Sequence, residues 1–344
     1  MNAKRMVGPA VIVAALMAGP QAFAADSAAD FYKGKTVFLQ IGAGTGNIYD
    51  FVGRIFAKHM GKHIPGNPTV VPQNVPGGGS LPLANQFGNT TARDGTVFGV
   101  FNNGMPTTPL FDPASGRYDP RKFHFLGSPS REAHILSVWH TAPVKTVADL
   151  FTKELIVGAT SPGAAPYDFP RLTNAVIGTK FKIVTGYQTS GETKLAMARG
   201  EVHANAGVAW SQAKTDYADV IKSGELITLA AFGMHKNREL MDVPLLPVGD
   251  TVEQKQLFEL MYGRQSYGRP FATPPEVPAY LVTALRQAFE ATMKDAEFLA
   301  EAQRLNLEID PVSADELTAL TDNLYKTPND ILERMRATLS AGAK

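Results

Sequence analysis

The 344-residue sequence contains no cysteine. This absence excludes disulfides, thiolate zinc sites, iron–sulfur clusters and cysteine nucleophiles, and it also excludes an N-terminal cysteine that carries a lipid anchor. The chain also lacks an excess of charge of one sign, because 33 Lys and Arg stand against 32 Asp and Glu, a formal net charge of +1. Such a balance argues against broad electrostatic binding to nucleic acid or to an anionic membrane. We therefore expect no nucleic-acid partner.

Long apolar runs are scarce, and the run near the N-terminus has the features of an export signal. Lys4 and Arg5 precede an apolar run over residues 6–17, and residues 22–24 read Ala-Phe-Ala, which fits a cleavage site. The run is shorter than the roughly 20 residues that span a bilayer, which argues against a transmembrane helix. We expect cleavage after Ala24 and a mature chain that is exported, soluble and free of a lipid anchor. In a bacterium with two membranes, its compartment is the periplasm.

Length and composition indicate a globular protein of two domains. The chain has 44% hydrophobic and 19% charged residues, enough to bury sizeable cores, and 344 residues exceed what one core usually organises. Apolar strand patterns alternate with amphipathic helix patterns, which predicts an α/β fold with largely parallel sheets flanked by helices. We place a discontinuous first domain at residues 25–131 plus 262–344, around a second domain at 132–261.

The strongest candidate for a site is a pair of glycine turns, each of which follows a predicted strand and opens a helix. The first turn covers residues 42–47 after a strand at 36–41, and the second covers 76–80 after a strand at 69–73. Helix N-termini carry unpaired N–H donors and roughly half a positive charge, so two such turns together predict a carboxylate or phosphate site. Residues 51–93 add four Lys and Arg and no acid, which also favours an anion.

Two other interpretations of these turns stay open. In one, the glycines simply close tight turns between strands and helices. In the other, the first turn is a dinucleotide fingerprint, although its spacing is G-x-G-x-G rather than G-x-G-x-x-G, and the next acid after Asp50 is Asp94. An exported dinucleotide-binding enzyme would also have to carry its cofactor out of the cell. This enzyme is the weaker alternative.

Other catalytic or metal-binding patterns are weak. His59 and His63 have the i, i+4 spacing of metal ligands, but no acid lies nearby in the sequence, and we interpret them as a solvent-facing helix edge. No G-x-S-x-G motif is present, because Ser161 has Ala159 and Gly163 at its ±2 positions. We therefore expect a binding protein that is not an enzyme, uses no cofactor and holds no metal.

Six segments follow one another in an order that resembles a known family. They are residues 46–54, 74–80, 94–96, 143–150, 187–202 and 270–278. Segment 74–80 reads Asn-Val-Pro-Gly-Gly-Gly-Ser, and segment 143–150 reads Pro-Val-Lys-Thr-Val-Ala-Asp-Leu. These resemble the Asn-x-Pro-Gly-Ala-Gly-Gly and Pro-Val-Lys-Ser-Leu-Ala-Asp-Leu segments of the substrate-binding receptors of tripartite tricarboxylate transporters, the TctC-like or Bug receptors.

The resemblance implies a periplasmic-binding-protein-like fold. Two α/β domains would close on a small organic carboxylate in a cleft between them, and the receptor would deliver it to a membrane permease. The two glycine turns would hold the proximal carboxylate, while Asp50 would orient the first loop because its charge repels an anion. The expected ligand-binding residues are Thr45, Gly46, Asn47, Ile48, Tyr49, Gly77, Gly78, Gly79, Ser80, Asn102, Asn103, Ser161, Gly163, Tyr187 and Trp210.

The chain also departs from the family pattern. Residues 47–49 replace the family's usual Gly-x-Thr/Ser sequence, and His203 stands where an Asp is usual. Backbone donors do not depend on side-chain identity, so we still expect the site to bind an anion. The identity of the anion does not follow from the resemblance. A further alternative stays open, in which the protein presents its ligand to a membrane sensor kinase. We expect a monomer whose partners are the carboxylate and the permease subunits.

Overall fold

A computed structural model describes residues 27–341 of the chain. The predicted signal peptide, residues 1–24, lies outside the described residues. Within residues 27–341, no helix is both long enough and apolar enough to cross a membrane. The strands of this part are β1 Thr36–Ile41, β2 Thr69–Asn74, β3 Val97–Val100, β4 His124–Ser128, β5 His134–Trp139, β6 Leu155–Gly158, β7 Phe181–Val184, β8 Ala204–Ala209, β9 Leu226–Phe232, β10 Phe271–Thr273 and β11 Val312–Ser313.

The α-helices alternate with these strands over most of the chain. They are α1 Ala28–Tyr32, α2 Ile48–Met60, α3 Leu81–Asn89, α4 Thr108–Phe111, α5 Ala165–Ile177, α6 Ser190–Ala198, α7 Trp210–Asp216, α8 Ala218–Lys222, α9 Val252–Tyr262, α10 Ala279–Thr292, α11 Ala296–Arg304, α12 Ala314–Leu324 and α13 Asn329–Ala341.

The strands form two separate sheets, each covered by helices on both faces. The first sheet has the order β11-β4-β10-β3-β1-β2, and the second has the order β7-β6-β8-β5-β9. Helices α2 and α10 pack on one face of the first sheet, and α3 and α12 pack on the other. Helices α5 and α9 cover one face of the second sheet, and α6, α7 and α8 cover the other. We call each sheet with its helices a lobe. The predicted α/β class with two sheets flanked by helices is confirmed.

Both sheets are mixed, so the expectation of largely parallel sheets is wrong. β1 pairs in parallel with β2 and β3, and β6 pairs in parallel with β7 and β8. The pairs of β10 with β3 and β4, of β11 with β4, and of β5 with β8 and β9 are antiparallel. Parallel neighbours need a crossover connection that returns to the same sheet. β5 and β10 instead enter from the other lobe, and the sequence pattern does not encode that crossing.

Helix α2 holds the first glycine turn at the carboxyl end of β1. The apolar stripe of this helix is buried against the first sheet, as the periodicity predicts. Phe56 lies at the centre of the stripe and is almost fully buried. Its ring centroid is 4.4 Å from that of Phe271 and 5.2 Å from that of Phe289. Aromatic pairs at such distances contribute beyond the area that they bury. The helix start is therefore held rigidly by packing at its middle.

The chain passes between the two sheets at residues 128–134 and 263–271, while the exact division into domains stays a prediction. The last helix complicates it, because α13 packs against α5 and α9 of the second lobe. Met335 of this helix is fully buried in the second-lobe core. Its apolar residues would therefore group with the second sheet, although the sequence assigned residues 262–344 to the first domain.

We expect Met335→Ala to lower the free energy of unfolding by about 2–5 kcal/mol, because it empties a fully packed position in the second-lobe core. Glu333→Ala in the same helix is the control, since Glu333 is exposed and its loss should change the free energy by under about 0.5 kcal/mol. Urea unfolding of both variants measures the difference. Equal stability of the two variants would show that α13 does not pack as described.

Candidate functional site

The first glycine turn is organised by the side chains at the start of α2. The Oδ1 atom of Asn47 accepts a hydrogen bond of 3.0 Å from the backbone N–H of Tyr49 and caps the helix. Asp50 accepts from the backbone N–H of Gly46 and from Nε of Arg54, both at 2.9 Å. Burial opposes ionisation of Asp50, but its hydrogen bonds outweigh burial and lower the pKa of this carboxyl. Asp50 therefore orients the loop, as the sequence led us to expect.

A cavity of about 70 Å³ lies between the two lobes, next to this turn. Its walls come from both sheets. The residues that line it are Asn47, Ile48, Tyr49, Asn102, Asn103, His134, Thr160, Ala164, Ala165, Pro166, Ser190, Thr193, Asn205, Gly207, Val208, Ala209, Gln212 and Arg269. The structure thus brings Asn47, Ile48, Tyr49, Asn102 and Asn103 of the sequence-predicted site together at one wall.

Helix starts surround the cavity. Lining residues stand at the beginning of α2, α5 and α6, each of which has at least nine residues. The start of α5 carries no side-chain cap, but Pro166 has no N–H group and the N–H groups of Tyr167 and Asp168 already donate to the Ala164 carbonyl oxygen, so only the Ala165 N–H remains as a donor there. Helix starts carry partial positive charge, and no Asp or Glu of residues 27–341 lines the cavity. The electrostatic environment therefore favours an anion.

Several buried polar atoms at the walls have no hydrogen-bond partner among the described residues. They are Nδ2 and Oδ1 of Asn103, Nδ1 of His134, Oδ1 of Asn205 and Nε of Arg269. A buried polar atom without a partner costs about 1–3 kcal/mol, and native proteins contain few of them. These five atoms belong to residues that line the cavity, which is consistent with a polar ligand there.

Arg269 is the charged side chain of the cavity, and it is only 3% exposed. Its Nη1 donates to Oγ of Ser130 at 3.1 Å, and its Nη2 donates to Oγ of Ser211 at 2.7 Å and forms an ion pair with Glu132. The guanidinium also lies 5.7 Å from the ring centroid of Tyr49. Arg269 therefore binds groups of both lobes at once. Arg269 could not be recognised from the sequence, because an arginine in an aperiodic Gly- and Pro-rich segment shows no pattern that indicates burial.

His134 contributes a neutral imidazole to the opposite wall. Burial lowers its pKa to about 3, and the positive charges of Arg264 and Arg269 act in the same direction. A hydrogen bond with the Gln265 side chain opposes this shift without reversing it. The ring is therefore uncharged at neutral pH. A lone histidine inside a strand gave no sequence signal for this role.

The second glycine turn does not line the cavity. Ser80 donates its hydroxyl to the carbonyl oxygen of Gly42 at 2.8 Å and accepts from the backbone N–H of Asn102 at 2.8 Å. It therefore ties the first turn to the end of β3, and both of its hydrogen bonds are internal. Thr45 and Gly46 are exposed at the outer side of the first turn and do not reach the cavity either.

The predicted residues of the second lobe also lie beside the cavity rather than on its wall. Trp210 directs its Nε1 to Oε2 of Glu239 at 2.6 Å. The Tyr187 ring packs over Gly158, where an added Cβ would lie 3.2 Å from Cε2 of that ring. Ser161 is the neighbour of the lining residue Thr160 and does not line the cavity itself.

Gly78, Gly79 and Gly163 instead meet where the lobes touch. A Cβ on Gly79 would lie 3.0 Å from the carbonyl carbon of Gly163, and one on Gly104 would lie 2.6 Å from the Gly163 carbonyl oxygen. The buried guanidinium of Arg264 pairs with Asp168 at 2.7 Å, and Asp168 accepts from the N–H of Gly163 at 3.1 Å. The glycines therefore permit a backbone-to-backbone approach that any side chain would prevent.

The excess of positive charge at residues 51–93 does not reach the cavity. Lys58 pairs with Glu301 at 2.7 Å, and Lys62 pairs with Asp295 and Glu297 on α11. His59 is 5% exposed and hydrogen-bonded to Glu301, so the interpretation of a solvent-facing edge is wrong for this residue. Acids from the far end of the sequence neutralise this helix face, which the local charge count could not show. Because Lys62 already bridges two of the carboxylates, we assign no metal to this cluster.

We expect His134 to make folding less stable as the pH falls. Its pKa is 6.5 when unfolded and about 3 in the fold, so between these values only the unfolded chain takes up the proton. This one group should therefore remove about 2 kcal/mol of stability between pH 7 and pH 5. His134→Phe should lose that part of the pH dependence in urea unfolding, whereas the exposed His140→Phe should keep it. Identical pH dependence in both variants would contradict the neutral buried imidazole.

Solved structures with the same fold are known, although no protein-family model matches the sequence and no curated protein is similar to it. A TctC solute-binding protein from Polaromonas has a TM-score of 0.60 and 18% identity, over 88% of this chain and 99% of that one. MatC from Rhodopseudomonas palustris with bound malate has a TM-score of 0.65 and 15% identity, over 89% and 99%. Rpa4515 from R. palustris with adipate has a TM-score of 0.66 and 21% identity, over 89% and 98%. The chain therefore has the two-lobed fold of the TctC-type solute-binding proteins, and the resemblance seen in the sequence is confirmed at the level of fold.

Proposed function

We propose that this protein is a solute-binding receptor that captures a small organic carboxylate between its two lobes. One observation carries the proposal: the cavity between the lobes is walled by helix starts and by buried polar atoms without partners, and it contains no acidic side chain. Such walls suit a carboxylate, which accepts several hydrogen bonds from N–H groups. The malate and adipate in the structures of two neighbours support the same class of ligand.

In this proposal the first lobe provides the principal anion contacts. At the start of α2, the backbone N–H groups of Asn47 and Tyr49 already donate to the Gly44 carbonyl oxygen and to the Asn47 side chain, which leaves the N–H of Ile48 as the donor there. The Asn103 amide offers a donor with no competing partner among the described residues. The free Nε–H of Arg269 adds a charged donor, although Glu132 already balances part of its charge. Hydrogen bonds to a carboxylate strengthen when the closed lobes remove it from water.

The second glycine turn has a different role here from the one that the sequence analysis gave it. We propose that Gly79 and Gly104 allow the lobes to close by letting the Gly163 backbone come near. Hinge closure between two lobes is a common way to enclose a ligand. The turn would then act on affinity through closure and would not touch the carboxylate.

The cellular role follows from the family that the sequence resembles. We propose that the protein works in the periplasm after removal of residues 1–24, and that it delivers the carboxylate to a tripartite tricarboxylate-type permease. The predicted export signal and the TctC-type fold support this role. Pull-down with the two permease subunits, with and without carboxylate, would test the partner.

A thermal-shift screen of mono-, di-, tri- and aromatic carboxylates tests the ligand class. A carboxylate at 100-fold its dissociation constant should stabilise the fold by about 2.7 kcal/mol. Asn103→Ala should weaken binding of the best carboxylate about tenfold, since a hydrogen bond to a charged group is lost. Gln256→Ala, at an exposed position of α9, is the control. Absence of any stabilisation by carboxylates would overturn the proposed function.

Closure has its own test in Gly104→Ala. The added methyl group would lie 2.6 Å from the carbonyl oxygen of Gly163, so we expect the closed state to be disfavoured and the affinity to fall about tenfold. Gly263→Ala is the matched control, because an added Cβ there meets no atom within 4 Å. Calorimetry gives the affinities, and small-angle scattering compares the lobe separation. Unchanged affinity in Gly104→Ala would rule out closure at this contact.

A further inference from the structure

The starts of α2 and α5, which both line the cavity, are organised in the same way. In the first lobe, Asp50 of α2 accepts from the backbone N–H of Gly46 at 2.9 Å and pairs with Arg54. In the second lobe, Asp168 of α5 accepts from the backbone N–H of Gly163 at 3.1 Å. Both glycines have a positive φ, +80° and +88°, which allows the chain to turn into the helix. Each aspartate therefore fixes the turn that precedes its helix.

The arginine that pairs with the aspartate differs between the two lobes. Arg54 follows Asp50 by four residues, and its side chain is 47% exposed. Arg264 instead lies in the segment 263–271, which connects the lobes, and it is only 1% exposed. Its Nη1 donates to Oδ2 of Asp168 at 2.7 Å. The turn before α5 is thus attached to the connection between the lobes, whereas the turn before α2 is attached only to its own helix.

Arg264 lies where three parts of the molecule come together. Besides its bond to Asp168 of the second lobe, its Nη1 lies 3.5 Å from the carbonyl oxygen of Gly163. A Cβ on Gly104, in the first lobe, would lie 3.2 Å from the same nitrogen. An ion pair that is this deeply buried often contributes little net stability, because desolvation offsets the attraction between the charges. Stability alone therefore does not account for this pair.

The turn before α5 carries both a donor for an anion and a contact between the lobes. The backbone N–H of Ala165 is the donor that remains at the start of α5, and Ala165 lines the cavity. It follows Gly163 by two residues, so a change in the direction of the turn would move this donor. Gly163 also meets the first lobe, because a Cβ on Gly79 would lie 3.0 Å from its carbonyl carbon.

The charge of Asp168 gives no advantage for anion binding. Asp168 lies in the first turn of α5, three residues after Ala165. A negative charge so close to a bound carboxylate would repel it. The ion pair with Arg264 offsets this repulsion and leaves little net charge. What the pair adds is a set of hydrogen bonds that fixes the direction of the turn.

We propose that Asp168 and Arg264 are positioning residues of the receptor, which hold the Gly163 turn so that the N–H of Ala165 faces the carboxylate of the ligand. Neither residue touches the ligand. Through Arg264, movement of the connection between the lobes also moves this turn. The inference rests on the proposed function and deepens it, because it assigns the second-lobe half of the anion site.

Calorimetry on Asp168→Ala separates positioning from charge. The probe is whichever of acetate, malate, adipate, citrate and benzoate binds the wild type most tightly. Removal of a negative charge near the site would by itself tighten the binding of an anion. Because the turn loses its acceptor, we expect the affinity to fall at least tenfold instead. Leu150→Ala is the control for lost stability, since Leu150 is fully buried in the second-lobe core and does not line the cavity. This control should bind within threefold of the wild type.

The double variant Asp168→Ala/Arg264→Met tests the arginine without leaving a buried charge unpaired. Replacement of a whole buried ion pair by apolar residues is tolerated better than loss of one partner. The net charge of the pair is unchanged in this variant, so charge alone predicts the wild-type affinity. The positioning role predicts that the affinity again falls at least tenfold.

Amide resonances of the wild type give a measurement that does not depend on any variant. We expect the Ala165 amide signal to shift when the carboxylate binds. The Gly163 amide should exchange slowly with solvent in the wild type and faster in the double variant, which lacks the carboxylate of Asp168. The amide of Gly178, at the far end of α5, donates to the carbonyl oxygen of Asn174 and should change in neither experiment.

The outcomes separate the two claims. If none of the five acids binds the wild type, the proposed function fails, and the positioning role fails with it. The positioning role alone is overturned if an acid binds the wild type and Asp168→Ala binds it more tightly, if the double variant binds within threefold of the wild type, or if the Ala165 amide does not shift. Circular dichroism melting checks that each variant is folded. If Asp168→Ala does not fold, the double variant and the amide measurement decide.

Discussion

The burial of one positive charge at the junction of the lobes constrains the rest of the molecule. Arg269 is removed from water, and a buried guanidinium is tolerated only where it is paired and hydrogen-bonded. Its partners are Glu132 in the chain crossing and Ser211 at the start of α7. Its own backbone N–H donates to Oγ of Ser128 at the end of β4, at 2.9 Å. The contacts of Arg269 therefore hold the crossing segment at Glu132, the start of α7 and the cavity wall in fixed relative positions.

This arrangement also explains how a cavity without free charged side chains can still favour an anion. The two buried arginines are balanced by Glu132 and Asp168, so the ion pairs add little net charge. What remains is the partial charge of the helix starts and a set of unpaired donors, which are fixed in place by packing such as that around Phe56. Fixed dipoles need no reorganisation on binding, and they attract any anion. Selectivity among anions therefore depends on the shape of the cavity and on the neutral polar groups of its wall.

Local patterns in the sequence predicted much of the fold and about a third of the cavity wall. β1 has the predicted bounds, and the stripe of α2 is buried, because periodicity reports directly on burial along one element. The start of α2 was found from its glycine turn. Trp210 does not line the cavity, because adjacent residues point in different directions: Ala209 lines the cavity, and the next side chain turns towards Glu239.

The rest of the site depends on contacts between distant segments. Asn103, His134, Asn205 and Arg269 share no motif, and they line one cavity because the two sheets face each other. The same limit explains the error about Lys58 and Lys62, whose partners on α11 lie more than 200 residues further along the chain. Charge counted over a sequence window says little about the potential at a site when the neutralising acids come from another element.

The position of the last helix bears on how the lobes can move. Residues 324–329 carry the chain from α12, beside β4, to α13, which packs against α5 and α9. This makes a third covalent connection between the lobes, in addition to those at 128–134 and 263–271. Arg336 of α13 also donates to the carbonyl oxygen of Leu110 in α4 at 2.7 Å. Because α13 packs on the second lobe and is also hydrogen-bonded to α4, this third connection restrains how far the two lobes can move apart.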